Sequence, residues 1–322
     1  LDSAGNPLFT DFNGQVSDTL STTAVPTTTA RNVNVVATTG NGAFGLYANG
    51  DGSSIGGTGA SVSTSGGDAS AIAAISGGRV ELSASTLSAS GEGSAGVLVQ
   101  GGDAERPSRV SLASTTVNSQ AEAIRAVGST AQIKLSEGSS LSSNSDVVAR
   151  AVSLNGVASN VAISADGGVR LKGDVVAESA NIINLQLANQ SSLAGGASNG
   201  GTFEIDATSR WDMNKSSDLA ALRLNGGTVQ FATPQSGYRT LTVGTLGGSG
   251  GVFGMNTVLN EGGAATQSDL LHVTGDAAGQ HKLAVSNQGG TGAKTVGDGI
   301  KLVQVDGQSA ANAFALSGSL QA

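Results

Sequence analysis

The chain has 322 residues, of which 49 are Gly and only 4 are Pro; 38% are hydrophobic, 12% are charged, and the formal net charge is −8. That much apolar residue excludes disorder for most of the chain, while 7 Phe, 2 Tyr and 1 Trp are too few for a thick globular core. The acidic balance argues against nucleic acid and anionic membrane as partners, the lack of Cys excludes disulfides and thiolate zinc sites, and no run approaches the ~20 apolar residues of a spanning helix.

The chain opens on Leu1-Asp2-Ser3-Ala4-Gly5, with neither an initiator Met nor a signal peptide, and is read as part of something longer. Residues 1–30 are expected to form an N-terminal cap or loop, including the polar tract Ser21-Thr22-Thr23-Ala24-Val25-Pro26-Thr27-Thr28-Thr29. From about residue 31 two phrases recur. One is a small-residue turn followed by an aliphatic run, as in Gly45-Leu46-Tyr47-Ala48, Ala71-Ile72-Ala73-Ala74-Ile75, Gly96-Val97-Leu98-Val99 and Ala123-Ile124-Arg125-Ala126-Val127. The other alternates strictly, as in Val80-Glu81-Leu82, Val110-Ser111-Leu112, Ile133-Lys134-Leu135, Val161-Ala162-Ile163 and Leu185-Gln186-Leu187. Alternation is the strand signature, and a return every roughly 23 to 30 residues is a solenoid period with room for three short strands. One such coil offers about five aliphatics at ~2 kcal/mol each, against ~1–2 kcal/mol of backbone entropy per residue, so a coil folds only when stacked on others. The expected architecture is all-β: a three-stranded parallel β-helix whose repeats of about 25 residues fill 31–204, each coil advancing ~4.8 Å. Gly50-Asp51-Gly52 and Gly56-Gly57-Thr58-Gly59 lack the Lys-Ser/Thr and helix of a phosphate loop and are read as tight turns.

After Phe203-Glu204-Ile205 the chain becomes less serine-rich and carries its sole tryptophan in Trp211-Asp212-Met213. From there Leu219-Ala220-Ala221-Leu222-Arg223-Leu224, Gly227-Thr228-Val229-Gln230-Phe231, Leu241-Thr242-Val243-Gly244-Thr245-Leu246-Gly247-Gly248-Ser249-Gly250 and Gly275-Asp276-Ala277-Ala278-Gly279-Gln280-His281-Lys282-Leu283 resemble the C-terminal part of pertactin-like autotransporter passenger domains of Gram-negative bacteria. The resemblance implies a right-handed β-helix and export through the periplasm to the cell surface or the medium. It further implies that 205–322 is a C-terminal β-helix with an autochaperone segment, ending before the aromatic-rich strands and the translocator β-barrel of the same precursor. Asp276, Gly279, Gln280 and His281 are its folding motif.

Candidate chemistry is sparse. Two His and no Cys leave a Ser-His-Asp triad only His272 or His281, and no Gly-Asp-Ser-Gly nucleophile segment occurs. His281 fits the family's loop entry into a strand, and His272 an outward strand position. Asp68, Glu92, Glu122 and Asp146 recur before the aliphatic strand and form a candidate self-association edge. Their plainer reading is a solvated turn ladder, and weak Ca²⁺ binding or polysaccharide-cleaving carboxylates are the rarer ones. Arg79, Arg109, Arg125 and Arg150, followed by Arg170, make a basic series for sulfated glycans, against the commoner fate of scattered solvated Arg. Lys172-Gly173-Asp174 is similar to the Arg-Gly-Asp tripeptide with its Arg replaced. No cofactor and no metal is expected. The function read here is a non-enzymatic passenger acting as a bacterial surface adhesin, through host-cell or matrix attachment, self-association, or both. A secreted effector engaging a host receptor is the alternative, and a polysaccharide-active enzyme comes after it.

Overall fold

The computed structural model describes residues 39–318 and, before them, the strands Leu20–Thr22, Thr27–Arg31 and Asn34–Val36. The cap or loop expected over 1–30 lies outside the described residues up to 19, but Leu20–Thr22 and Thr27–Arg31 already pair in parallel with Phe44–Asn49 and Ser54–Thr58. Among the described residues the one helical turn is Gly263–Ala265. Two compact units are formed, Leu1–Asn184 and Leu185–Ala322, so the change expected at 204/205 falls inside the second.

The first unit is a parallel β-helix with three strands per coil. The strands Arg79–Ser83, Thr86–Ala89 and Ala95–Gln100 make one coil, followed by Ser108–Ala113, Thr116–Ser119 and Glu122–Val127. First strands pair with first strands to form one sheet; second and third strands form the other, joined where Ser140–Val152 runs through both positions. Alternation sends every second side chain inward, and parallel register then stacks like on like: Ile55, Val80, Val110, Ile133 and Ile163 form one ladder, and Leu46, Ile72, Val97 and Ile124 another. These ladders are the core, with Ile55, Val80, Ile72 and Val97 fully buried. The run Gly56-Gly57-Thr58-Gly59 is not one turn: Gly56 and Gly57 lie within the strand Ser54–Thr58, because they occupy the register places of Glu81 and Leu82, and only Gly59 turns, at φ 70°.

At the corners the backbone leaves the ladder, and its amides need another acceptor. Between first and second strands the chain turns through one left-handed residue at Gly59, Ala84 and Ser114, and through the left-handed pair Glu137-Gly138 in the coil after them. After it come Ala60, Ser85, Thr115 and Ser139. The Ala60 amide donates to Ser85 Oγ of the next coil at 3.0 Å, the Ser85 amide to Thr115 Oγ1 at 3.4 Å, and the Thr115 amide to Ser139 Oγ at 3.0 Å. Each hydroxyl in turn donates to a carbonyl of its own coil, on Ser83, Ala113 and Ser136 respectively. Ser85, Thr115 and Ser139 are buried, and form a polar seam running through the coils.

In the second unit the coils first shorten, so that hydrogen-bonded corner partners such as Ser191 and Ser209 lie 18 residues apart, and two strands replace three. Fewer, larger side chains fill this interior: Trp211 and Val229, then Phe253 and Leu283, stack in register, and Phe203 tilts onto Trp211 with ring centroids 5.4 Å apart. Trp211 Nε1–H donates to the Gly195 carbonyl at 2.8 Å, which satisfies its one polar atom. Further on, the buried Asp269 carboxylate accepts the Arg239 and Asn256 amides, each at 2.8 Å, and Asn256 Nδ2 at 2.7 Å, tying three segments of the unit together.

Substituting Ser139→Ala strands the buried Thr115 amide, for an expected loss of about 1–3 kcal/mol. Ser88→Ala, at an outward strand position, should change stability by no more than about 0.5 kcal/mol. Urea unfolding of the two variants checks the difference.

Candidate functional site

With the interior occupied by ladders, chemistry is left to the outward positions, which register arranges in rows along each face. Of the basic series, Arg79 and Arg109 are register partners on the first-strand sheet, whereas Arg125 and Arg150 are partners on the other sheet. The four therefore form two pairs on two sheets, because Arg79 and Arg109 lie in first strands and Arg125 and Arg150 in third-strand positions.

The Arg125–Arg150 pair is occupied from within. Glu122 Oε2 accepts Arg125 Nε at 2.9 Å, Glu122 Oε1 accepts Arg150 Nε at 2.8 Å, and Glu178 reaches Arg150 at 3.4 Å. The Glu122 side chain is only 10% exposed, and the two cations offset the cost of burying it. Replacing Arg125 and Arg150 by Glu would thus surround a buried carboxylate with like charge and disturb folding before any ligand. The acidic edge is revised for the same reason. Asp68 and Glu92 do stack at neighbouring corners, the Asp68 amide donating to the Glu92 carbonyl at 2.8 Å. Glu122 leaves that edge for the arginines, and Gln120 takes the corner place, its Oε1 accepting Asn144 Nδ2 at 2.7 Å. Asp146 sits at φ 58° in the bend of Ser140–Val152.

Two outward faces of the first unit stand out. On the second strands, Ser61, Thr86, Thr116 and Ser140 form one row in register. Ser63, Ser88, Asn118 and Ser142 form the row beside it, and neither row carries a charge until Arg170 and Lys172 follow in the next coil. On the first strands, Arg79 and Arg109 continue into Gln132, beside a row of Gly56, Glu81, Ser111 and Lys134 and another of Thr58, Ser83, Ala113 and Ser136. Short side chains in the last two rows leave an open groove of about 740 Å³ between them. Lys134 was visible in the alternating phrase Ile133-Lys134-Leu135, but only register places it in this groove.

The remaining candidates are structural in their contacts. Lys172-Gly173-Asp174 lies within the strand Arg170–Ala177, with Gly173 at φ 122° pressed against Asp146 and Val148, so it does not project on a loop. His272 points outward, and its Nε2 meets Asp306 of the next coil at 2.7 Å; that contact and the Gln304 amide hold the Asp306 carboxyl below its ordinary range, with the Gln304 bond the larger cause. Among the described residues no group of three His, Asp or Glu side chains is placed to hold a metal ion.

Asp276, Gly279, Gln280 and His281 form one corner tied to the coils on both sides. Asp276 Oδ1 accepts the Gln308 amide at 2.8 Å, the Gln280 carbonyl accepts the Gly250 amide at 2.7 Å, and the His281 amide donates to Ala313 at 2.8 Å. Gly279 holds φ 89° where a Cβ would come within 1.7 Å of the Gly248 carbonyl oxygen, so only Gly fits. His281 is 2% exposed, its ring lying between Phe253 and Phe314 at centroid distances of 5.9 and 6.1 Å. Nε2 faces the Ala278 carbonyl at 3.2 Å and must carry the proton there, which leaves Nδ1 buried without a partner. Burial pushes the imidazole pKa below its ordinary value, with the Ala278 hydrogen bond opposing in part.

Residues 217–322 match the family Autochaperone Domain Type 1. The chain is 36% identical over 155 residues to the BrkA autotransporter of Bordetella pertussis, covering 46% of this chain and 15% of that protein. It is 32% identical over 180 residues to the autotransporter adhesin/invasin TibA of Escherichia coli O78:H11, covering 48% and 17%. To the pertactin autotransporter of Bordetella bronchiseptica it is 37% identical over 110 residues, covering 33% and 11%. The chain thus spans less than a fifth of the length of these relatives. Among solved structures, the crystal structure of the autotransporter UpaB from E. coli strain CFT073 aligns with a TM-score of 0.47 and 16% identity, over 90% of this chain and 86% of that one.

Two outcomes follow for the corner. Gly279→Ala should lower refolding yield sharply, while Gly247→Ser, whose Cβ would meet nothing closer than 3.9 Å, should refold as the parent does. Because the folded pKa of His281 is depressed, the unfolded chain binds the extra proton. The stability that neutral His281 contributes is whole above the ordinary value of 6.5 and is lost as pH falls below it. His281→Phe keeps a ring between Phe253 and Phe314, and should flatten that loss in melting curves taken between about pH 5 and 7.

Proposed function

The chain is a segment of a pertactin-like autotransporter passenger, and from that premise we propose that it acts as a non-enzymatic bacterial surface adhesin. Such passengers stand on the cell surface or are released from it. The partners in this reading are host-cell or matrix components, sulfated glycans among them, and further copies of the chain; the β-barrel of the same precursor is the partner in export.

The observation that carries the reading is the uncharged face of the second strands. Its two rows offer hydroxyl and amide groups at the ~4.8 Å coil spacing, each able to donate and accept. Each hydrogen bond to such a face is weak alone, but a face of regular spacing lets many form at once. A second support is the disposition of the carboxylates: Asp68 and Glu92 are at a solvated corner, and Glu122 is engaged by Arg125 and Arg150. The name of TibA, an adhesin/invasin, points the same way.

The test is display of the full precursor on a strain that neither clumps nor adheres. The parent should settle in clumps or attach to cells. The triple change Thr86→Glu, Thr116→Glu and Asn118→Asp, which leaves inward ladders untouched, should reduce whichever of these the parent shows by tenfold or so, since it sets like charges on neighbouring rungs. A parent that changes neither clumping nor attachment would overturn adhesion and leave a released effector as the reading.

A further inference from the structure

The face of the first-strand sheet differs from the uncharged face beside it in being both concave and asymmetric in charge. Arg79, Arg109 and Gln132 are long side chains in one row, and the rows next to them are Gly, Ser, Thr or Ala except at Glu81 and Lys134. The result is the groove of about 740 Å³, adjoined by a second hollow of about 460 Å³ that shares Glu81 with it and reaches Arg79, Arg109 and Asp51. Its floor is polar: Thr58 and Ser83 hydroxyls lie 2.9 Å apart in neighbouring coils, and Ser111 and Ser136 stand farther along.

Charge in this groove does not cancel. Arg79 is bonded to Glu81 on its own strand. Arg109 makes only a 3.4 Å contact with the Pro107 carbonyl, and neither it nor Lys134 forms an ion pair among the described residues. They belong to adjacent coils, one residue pair apart along the strand, which puts their backbones roughly 8 Å from each other. Fields on that scale are set by the nearest charges, because the Debye length is about 8 Å at physiological salt, so the net charge of −8 does not cancel the pair.

The geometry points to this groove as the binding site for a linear acidic polysaccharide lying along the coil stack, with Arg109 and Lys134 on successive carboxylate or sulfate groups and the serine and threonine floor on sugar hydroxyls. This names the ligand class and the residues for the adhesin reading on which it rests. A shallow, open, polar groove suits a polymer laid across several coils, where a small ligand would need an enclosed and largely apolar pocket. Arg forks onto a planar anion and Lys acts as a point charge, so the two suit groups of either kind. The other arginine pair is excluded because Glu122 and Glu178 already neutralise it.

The full passenger is passed over immobilised heparin, which carries sulfate and carboxylate, and over immobilised hyaluronate, which carries carboxylate alone. Retention on both assigns the pair to carboxylates, and retention on heparin alone assigns it to sulfates. Arg109→Ala and Lys134→Ala should each weaken retention about tenfold, and together abolish it at physiological salt. Arg170→Ala with Lys172→Ala removes the same charge from another face and should elute as the parent does. Ser111→Tyr fills the groove without altering charge and should also abolish retention, so the site is tested even if the charge variants fold poorly. Parent protein that elutes from both columns at low salt overturns the site. So does equal weakening by the Arg170/Lys172 pair, or displacement by single-stranded DNA as effective as that by heparin. Loss of retention in Arg109→Ala/Lys134→Ala cells that still attach and clump would leave the groove standing and remove it from adhesion. Unchanged retention in that double variant would remove the groove and leave adhesion untouched.

Discussion

A coil of short strands cannot close without bending its backbone away from the ladder three times per turn, and every bend leaves amides that no neighbouring strand can accept. Here that constraint is met by hydroxyls of the adjoining coil. Ser85, Thr115 and Ser139 sit inside the first-to-second corner, each accepting an amide from one coil and returning its proton to a carbonyl of its own. The third-to-first corner uses the same device where Ser159 accepts the Ser129 amide, and so does the second unit where Ser217 accepts that of Ala197. Stacking aliphatics supply the apolar burial, but the seams let the backbone turn without an unsatisfied group.

Once backbone and core are satisfied in this way, the outward positions are free of structural duty, and their few charges can be read individually. Where a carboxylate is drawn inward it takes counter-ions with it, as Glu122 takes Arg125 and Arg150. Where the outward rows are short and neutral, the face is flat and rich in hydroxyls; where long and short rows meet, as beside Arg109, it is grooved. Register, which repeats a position from coil to coil, converts a single residue choice into a line along a face.

Strand position and polarity were legible in the sequence because alternation is local: Val80-Glu81-Leu82 and Val110-Ser111-Leu112 state directly which side chains face in, and the period states that Arg125 lies against Arg150. What was not legible depends on corners. Whether Arg79 and Arg125 share a face turns on how many bends separate them, and a bend leaves only a weak trace when Ala84 or Ser114 adopts the left-handed conformation as readily as a Gly elsewhere. Serine was opaque for a similar reason. The same residue type serves as buried acceptor at Ser139 and as a half-buried outward position at Ser88, and composition cannot tell them apart. Glu122, spaced like Glu92 and Asp68, turns inward only because two arginines meet it there. The shortening of the coils near Ser191 coincides with the large interior side chains Trp211 and Phe203 and has no local signature.

The first-to-second corner turns through one left-handed residue or two before its seam residue, while the third-to-first corner varies much more. It is brief at Ser76-Gly77-Gly78, extended over 101–107, and at Leu154 to Val157 it becomes a small antiparallel hairpin. The first kind admits the pair Glu137-Gly138 in place of a single residue and still sets Ser139 Oγ 3.0 Å from the Thr115 amide, so a length change is tolerated there only when it returns the hydroxyl to its amide. In the second kind an insertion is simply extruded into solvent. Over evolutionary time, then, insertions and deletions should accumulate along one edge of the first unit, giving related passengers one conserved border and one that each lineage is free to lengthen, trim or decorate.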